Sequence, residues 1–110
     1  MTATLVKPAV GSIVLRWTNE AFPTIDVGQI IEPTGEHRWM VHTGPGHMEV
    51  WHRSTILRTV KDWREANHVS TRQLTVLNMR RLMMERGATA EMANRLASEA
   101  LDLIAKGEWA

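Results

Sequence analysis

The first sixty residues contain short runs of β-branched and other apolar residues, separated by glycine, proline and asparagine. This pattern is typical of strands joined by turns. It predicts a strand over residues 11–17, a long loop over residues 18–24, and a second strand over residues 26–32 that Pro33 ends. Gly28, inside the second strand, predicts a bulge or a sharp bend.

The clearest part of the pattern is a β-hairpin, which we predict with a four-residue turn over residues 43–46. In this register Val41 lies opposite Met48, and Trp39 lies opposite Val50. Because side chains alternate between the two faces of a strand, these four apolar side chains share one face. The other face then carries a mixed set of side chains: Met40, His42, His47, Glu49 and Trp51.

A three-residue turn gives an alternative register for the same β-hairpin. It pairs Trp39 with Trp51 and Val41 with Glu49. Since a shift of one residue moves every side chain of a strand to the opposite face, this register places a glutamate among the apolar side chains. We therefore expect the four-residue turn.

Two shorter elements follow the β-hairpin. Residues 53–57 predict a single helical turn that brings Ile56 or Leu57 to the mouth of a small barrel, and residues 58–60 predict a short fifth strand. With these elements, five strands are expected before residue 61.

The order of these motifs over residues 10–60 resembles the SH3-like barrels of the KOW and Tudor type. The motifs that carry the resemblance are Val-Gly-x-Ile-Val at 10–14, Val-Gly-x-Ile-Ile-Glu at 27–32, Trp-x-Val at 39–41, Met-x-Val at 48–50 and Ile-Leu at 56–57. The resemblance implies a five-stranded small barrel and no particular activity.

The last forty residues show helical periodicity. Ser70 and Gln73 have the spacing of a capping box, which predicts a helix over residues 71–86 that ends at Gly87. Residues 62–70, which precede the capping box, form a polar connector whose first residues are compatible with a helical start.

A second helix is predicted from a cap at Thr89 to about Lys106, ending at Gly107. Its apolar positions recur at three- and four-residue spacing: Met92, Ala93, Leu96, Ala97, Ala100, Leu103 and Ile104. The predicted fold class is thus α+β, with an SH3-like barrel over 1–61, a connector over 62–70 and a C-terminal αα-hairpin over 71–110.

Length and composition limit the class of protein. The 110 residues suffice for one domain, or for a small barrel that shares its core with a helical extension. Cysteine is absent, which excludes disulfides and thiolate metal sites, and no apolar run approaches the length of a membrane span. The first residues lack an apolar core behind a basic start, so we expect no signal peptide, no membrane partner and a cytoplasmic location.

The formal net charge is only +1, but its distribution is uneven. Residues 53–81 hold two carboxylates, Asp62 and Glu65, against seven basic side chains: Arg53, Arg58, Lys61, Arg64, Arg72, Arg80 and Arg81. A local basic stripe of this kind attracts phosphates even where the whole chain is near neutral. The alternative interpretation is a set of solvated surface charges.

Five tryptophans in a chain with a single phenylalanine and no tyrosine give a second signal. Exposed aromatic rings beside basic side chains stack on bases or pack on a partner's aliphatic side chains. We therefore predict a partner-binding or nucleic-acid-binding surface where the barrel meets the helices, formed by Trp51, Arg53, Arg58, Trp63, Arg64, Arg80 and Arg81. The alternative for Trp51 is a second small core, in which Trp63 or the helices cover its ring.

The first functional hypothesis is a small non-enzymatic binding or adaptor protein, with a protein partner expected and nucleic acid as a second class of partner. The alternative is a structural or oligomer-forming subunit, such as a virion-type accessory protein, that uses the Met/Ala-rich helices. Ala93, Ala97 and Ala100 favour it, because small side chains let another helix approach closely. Phosphate binding should weaken steeply with salt, whereas apolar docking should not.

No motif for catalysis or for a cofactor is present. The chain has no phosphate-binding glycine loop and no serine placed with a histidine and an acid in a recognisable setting. In the expected register His42, His47 and Glu49 share a face and have the donor types of a zinc site. Histidines at 37, 42, 47 and 52 are spaced by five residues, however, which fits no single strand or helix face, so we predict neither a metal nor a cofactor.

Overall fold

The computed structural model describes residues 8–108; residues 1–7 and 109–110, including most of the segment on which the signal-peptide prediction rests, lie outside the described part. The predicted α+β class, with five strands followed by two helices, is confirmed. The elements are β1 Ile13–Trp17, β2 Ile25–Gly35, β3 Arg38–Gly44, β4 His47–His52, a 3₁₀ turn Arg53–Thr55, β5 Ile56–Val60, α1 Trp63–Glu85 and α2 Ala90–Lys106.

The five strands form one antiparallel sheet in the order β4-β3-β2-β1-β5. β4 and β5 are its two edges, and no pairing within residues 8–108 joins them, so closure into a barrel is not confirmed. The open sheet is nevertheless strongly curled. Arg16 on β1 reaches Glu49 on β4 at 3.0 Å, although strands three positions apart in a flat sheet are separated by roughly 14 Å.

The curl gives the sheet an inner and an outer face, and each has its own core. The inner core consists of Val14, Ile30, Trp39, Val41, Trp51 and Ile56. The outer core joins β1, β2 and β5 to the helices through Ile13, Leu15, Ile25, Val60, Ala66, Val69, Val76, Ala97, Leu101, Ile104 and Ala105. β1 is therefore buried on both faces, which explains its uninterrupted apolar run.

The predicted register of the β3–β4 hairpin is wrong. Trp39 pairs with Trp51 and Val41 pairs with Glu49, which is the alternative register. Met48 and Val50 consequently lie on the outer face and are 53% and 50% exposed. The shift buries the larger Trp51 ring instead, and larger apolar area gives more burial energy.

The glutamate that made this register unattractive has a partner from a distant strand. Arg16 donates from Nη2 to Glu49 Oε1 at 3.0 Å and to Asp26 Oδ2 at 3.3 Å. A paired carboxylate is tolerated at the margin of an apolar face where an unpaired one is not.

β2 is longer than predicted, because it continues through Pro33 to Gly35. Pro33 pairs with Trp39 on β3, and beyond Ile30 the other side of β2 has no strand partner within the described residues. A proline without an N–H is tolerated at such a half-open position. The register of β2 shifts against β3 on either side of Glu32 and Pro33.

Gly28 is not the site of a bulge. It pairs with Val14 without a register shift. A Cβ atom at this position would overlap Cγ1 of Val41 and would lie 3.0 Å from Cη2 of Trp51. The glycine is therefore required by the close approach of the Val41 side chain and, after it, of the Trp51 ring.

The predicted start of the first helix, with Ser70 as its cap, is also wrong. Residues 63–70 belong to α1, and the N-cap is Asp62, whose Oδ1 accepts the N–H of Glu65 at 2.9 Å. Glu65 Oε2 in turn accepts the N–H of Lys61 at 2.7 Å. These reciprocal bonds are a variant of the capping box, eight residues before the predicted one. The proposed domain boundaries stay a prediction.

Gln73, predicted to be part of the cap, instead ties α1 to the sheet. Its side-chain amide accepts the N–H of Ile25 at 2.6 Å and donates to the carbonyl of Ile25 at 2.9 Å. Both backbone groups at the start of β2 are thus satisfied by one side chain of the helix.

The end of α1 and the whole of α2 agree with the prediction. Gly87 has φ +99°, and Ala88 donates to the carbonyl of Met83 at 2.9 Å, as in a Schellman motif. Thr89 caps α2 through a 3.1 Å bond from the N–H of Met92, and α2 ends at Gly107.

Candidate functional site

Trp51, placed by the sequence in the binding surface, is fully buried. Its ring packs against Gly28, and the guanidinium carbon of Arg16 lies 4.4 Å from the ring centroid on the inner face. This placement agrees with the alternative interpretation, in which Trp51 belongs to a second small core. The core that covers Trp51 comes from the sheet itself and from Arg16, however, and Trp63 and the helices take no part in it.

Arg58 is engaged within the fold. Its Nε donates to the carbonyl of Ala105 at 2.8 Å, and its Nη1 donates to Glu65 Oε1 at 3.0 Å. It thereby joins the last turn of α2, where carbonyls lack helical partners, to the first turn of α1. The N–H of Lys61 and, after it, the Arg58 guanidinium hold the pKa of the Glu65 carboxyl below its ordinary value.

Arg80 is engaged in a similar way. Its Nε donates to Asn94 Oδ1 at 2.6 Å, and its guanidinium carbon lies 4.3 Å from the ring centroid of Phe22. One side chain thus connects α1, α2 and the β1–β2 loop. Because these contacts are internal, Arg80 is not presented to a partner as a free charge.

The other four predicted site residues do not form one group. Arg53 places Nη1 3.5 Å from Nδ1 of His37, Trp63 is 47% exposed, and Arg64 is exposed beside it. Arg81 forms only a 3.9 Å contact with Glu85. Arg64 and Arg81 are separated by about 26 Å along α1. The structure therefore does not gather the seven predicted residues into one surface.

The three groups considered for zinc are also separated. His47 Nε2 lies 3.2 Å from Glu49 Oε2, whereas His42 pairs with Met48 and points to the opposite face of the sheet from Glu49. Between Pro8 and Glu108 no cluster of three or more histidine or acidic side chains is arranged to hold a metal ion.

A cavity of about 620 Å³ lies between α2 and the loop that follows β1. Its lining includes the indole of Trp17 and the carboxylates of Glu99 and Asp102. Lys106 Nζ lies 2.7 Å from Asp102 Oδ2, and this carboxylate raises the pKa of Lys106 above its ordinary value. One of the two acids is therefore already paired within α2.

A further surface lies between the two helices, where the alternative hypothesis placed a contact through the Met/Ala-rich hairpin. A cavity of about 370 Å³ runs between α1 and α2, and apart from Thr75 and Arg80 it is lined by apolar side chains: Val76, Met79, Met83, Ala93, Leu96, Ala97 and Ala100. Four large side chains on or beside this groove are between 42% and 55% exposed. We call them the helical apolar face: Met79, Met92, Leu96 and Leu103.

α2 has two apolar sides, one in the core and one in solvent. One side, with Ala93, Ala97, Leu101 and Ile104, is buried. The other carries Met92, Leu96 and Leu103, whose spacings of four and seven residues place them on a second stripe. All three predicted alanines line the groove. Ala93 and Ala97 are buried in the close packing of the two helices, and Ala100 is partly buried.

The signal for this face was present in the periodicity of α2. Its apolar positions, together with Leu101, cover more of the helix circumference than the single stripe of about 100° that one core contact needs. Within the described residues one apolar side of α2 is buried, and the other side is left partly in solvent.

Neither helix in the described part of the chain has the length and apolar character needed to cross a membrane. Comparison with protein-family models, with curated proteins and with solved structures finds no match for this chain.

Proposed function

We propose that this chain is a small non-enzymatic protein-interaction module, and that its docking surface is the helical apolar face. One observation carries the proposal: four large apolar side chains remain 42–55% exposed around an apolar groove on two adjacent helices. Contiguous exposed apolar surface is uncommon in monomeric proteins, and it marks sites of protein association more often than scattered apolar residues do.

The curled sheet serves in this proposal as the platform that positions the helices. Arg58, Gln73 and Arg80 fix the helical hairpin to the sheet and to the loop after β1. A rigid pair of helices that presents an apolar groove suits an adaptor or an assembly subunit of the virion-type accessory kind. Nucleic-acid binding is the weaker hypothesis, because Arg58 and Arg80 are used internally and Trp51 is buried.

A matched pair of variants tests the proposal. Leu96→Glu places a charge in the helical apolar face, whereas Met48→Glu places one on an apolar position of the outer sheet face that is also about half exposed. Both side chains are partly in solvent, so we expect both variants to keep the melting temperature within a few degrees of the wild type.

The measurement is retention of proteins from the source cells on immobilised wild type and on both variants, at low and high salt. The proposal predicts a protein, or the chain itself, that binds the wild type and Met48→Glu in high salt but is lost with Leu96→Glu. Retention that is equal on all three baits would overturn the proposal. Retention that disappears with salt or nuclease would point to the basic side chains instead.

A further inference from the structure

We propose that the occupant of the helical apolar face is a second copy of this chain, with α2 of one copy packed antiparallel on α2 of the other. This inference rests on the proposed function and names the partner of the same surface. A two-fold interface is made by the same patch on both subunits, so that patch must complement itself when rotated.

The apolar residues of α2 meet this requirement. Met92, Leu96, Glu99 and Leu103 follow one another at spacings of four, three and four residues, the spacing of a helix–helix seam. In an antiparallel pair with the two-fold axis near residues 97 and 98, Met92 lies opposite Leu103 of the second copy. Leu96 then lies opposite Glu99, whose aliphatic stem can cover it while the carboxylate reaches toward solvent.

The charges beside the seam supply the complementarity. Arg95 and Glu99 are exposed, and neither forms an ion pair with any residue from 8 to 108. The antiparallel arrangement brings Arg95 of each copy beside Glu99 of the other, which gives two symmetric pairs. A parallel arrangement would place Glu99 against Glu99 in the seam, where like charges repel, and would separate Arg95 from Glu99 of the other copy.

α1 and the groove complete the surface. α2 is about 25 Å long, and Met79 of α1 extends the apolar area to its side. The cavity of about 370 Å³ next to Ala100 has room for large side chains of the second copy. Two helical hairpins joined in this way form a four-helix arrangement, in which each α2 buries both of its apolar sides.

The test is a charge-reversal cycle measured by size-exclusion chromatography with light scattering and by sedimentation, over a wide range of protein concentration. The wild type should be a dimer that dissociates on dilution. Arg95→Glu and Glu99→Arg should each raise the dimer dissociation constant about tenfold, since each creates two like-charge contacts. The double variant should return to within about threefold of the wild type.

Arg64→Glu is the control, because it reverses an exposed arginine at the other end of α1 and should leave the dissociation constant unchanged. A wild type that stays monomeric at every concentration would overturn self-pairing. In that case a difference between Leu96→Glu and Met48→Glu in partner retention would still stand, and the helical apolar face would belong to a different protein.

A dimer that the single reversals do not weaken would refute the Arg95–Glu99 contacts. A dimer that both single reversals weaken and the double variant does not restore would refute the antiparallel arrangement.

Discussion

Replacing Gly28 by alanine tests how the curled sheet holds Trp51. In the inner core a methyl group at this position would overlap Cγ1 of Val41 and would come within 3.0 Å and 3.2 Å of two ring carbons of Trp51. Carbon atoms in ordinary contact are separated by about 3.5–4.0 Å. The side chains must therefore move, and both are completely buried.

The expected change in the free energy of unfolding is the sum of two opposing contributions. Inserting a methyl group into a well-packed core typically destabilises by about 1–3 kcal/mol. Replacing a glycine also restricts the unfolded chain, which stabilises by about 0.4–1 kcal/mol. Gly28→Ala should accordingly lower the free energy of unfolding by about 1–2 kcal/mol.

Gly44→Ala is the matched control, since Gly44 lies in the same sheet, has no positive φ and has no atom within 4 Å of the place that a methyl group would take. Only the unfolded-state contribution remains there, so this variant should be neutral or slightly stabilised, by about 0.5 kcal/mol. Urea unfolding followed by tryptophan fluorescence and by circular dichroism measures both variants.

The double variant Gly28→Ala/Val41→Ala identifies the contact. Removing Cγ1 of Val41 relieves the overlap, so the double variant should be destabilised by about 1 kcal/mol less than the sum of the two single changes. If Gly28→Ala were as stable as Gly44→Ala, the close packing of Val41 and Trp51 on Gly28 would be incorrect. If the two changes were additive, Val41 would not be the side chain that a methyl group at position 28 meets first.

Two further predictions concern the attachment of α1. Glu65→Gln should reduce stability near neutral pH by about 0.5–1 kcal/mol, the range of a partly exposed helix cap. Folding lowers the pKa of Glu65 below its ordinary value of 4.5, so the stabilisation by its carboxylate is complete above that pH and is lost as pH falls. The difference in unfolding free energy between variant and wild type, measured in urea, should therefore shrink below about pH 4.5. A difference that stays constant with pH would contradict the assignment. Gln73→Leu should cost about 1–3 kcal/mol in the same assay by leaving both backbone groups of Ile25 without partners, whereas Gln29→Leu, which removes a single exposed bond to Gly11, should cost less than about 0.5 kcal/mol.

Local patterns predicted most elements of the fold but not the register of β4. That strand has apolar side chains on both faces, so alternation alone does not determine which face is buried. The apolar set of the observed register contains Glu49, and its partner Arg16 is 33 positions earlier in the chain. No local pattern shows that such a partner exists. The four-residue turn was predicted because it avoids burying an unpaired glutamate, but in the structure Glu49 is paired with Arg16.

The error in the predicted start of α1 also has its cause in contacts that the local pattern does not show. Two candidate caps, Asp62 with Glu65 and Ser70 with Gln73, have equivalent spacing. What separates them is that Gln73 bonds to Ile25, 48 positions away, and that Glu65 also binds Arg58. Long-range partners thus decided which of two good local signals begins the helix.

The candidate site differs from the one predicted from the sequence for a related physical reason. A domain of this size has a small core, and it uses polar side chains with long reach to connect its elements. Arg16, Arg58 and Arg80 each join two or more elements, so counting basic residues along the sequence overestimates the charge offered to a partner. Apolar residues are the opposite case. The sheet and the helices do not cover all of them: Met79 is 55% exposed and Leu96 is 43% exposed. The proposed contact with another chain would cover these side chains, and for that reason we propose the helical apolar face, rather than the basic stripe, as the docking surface.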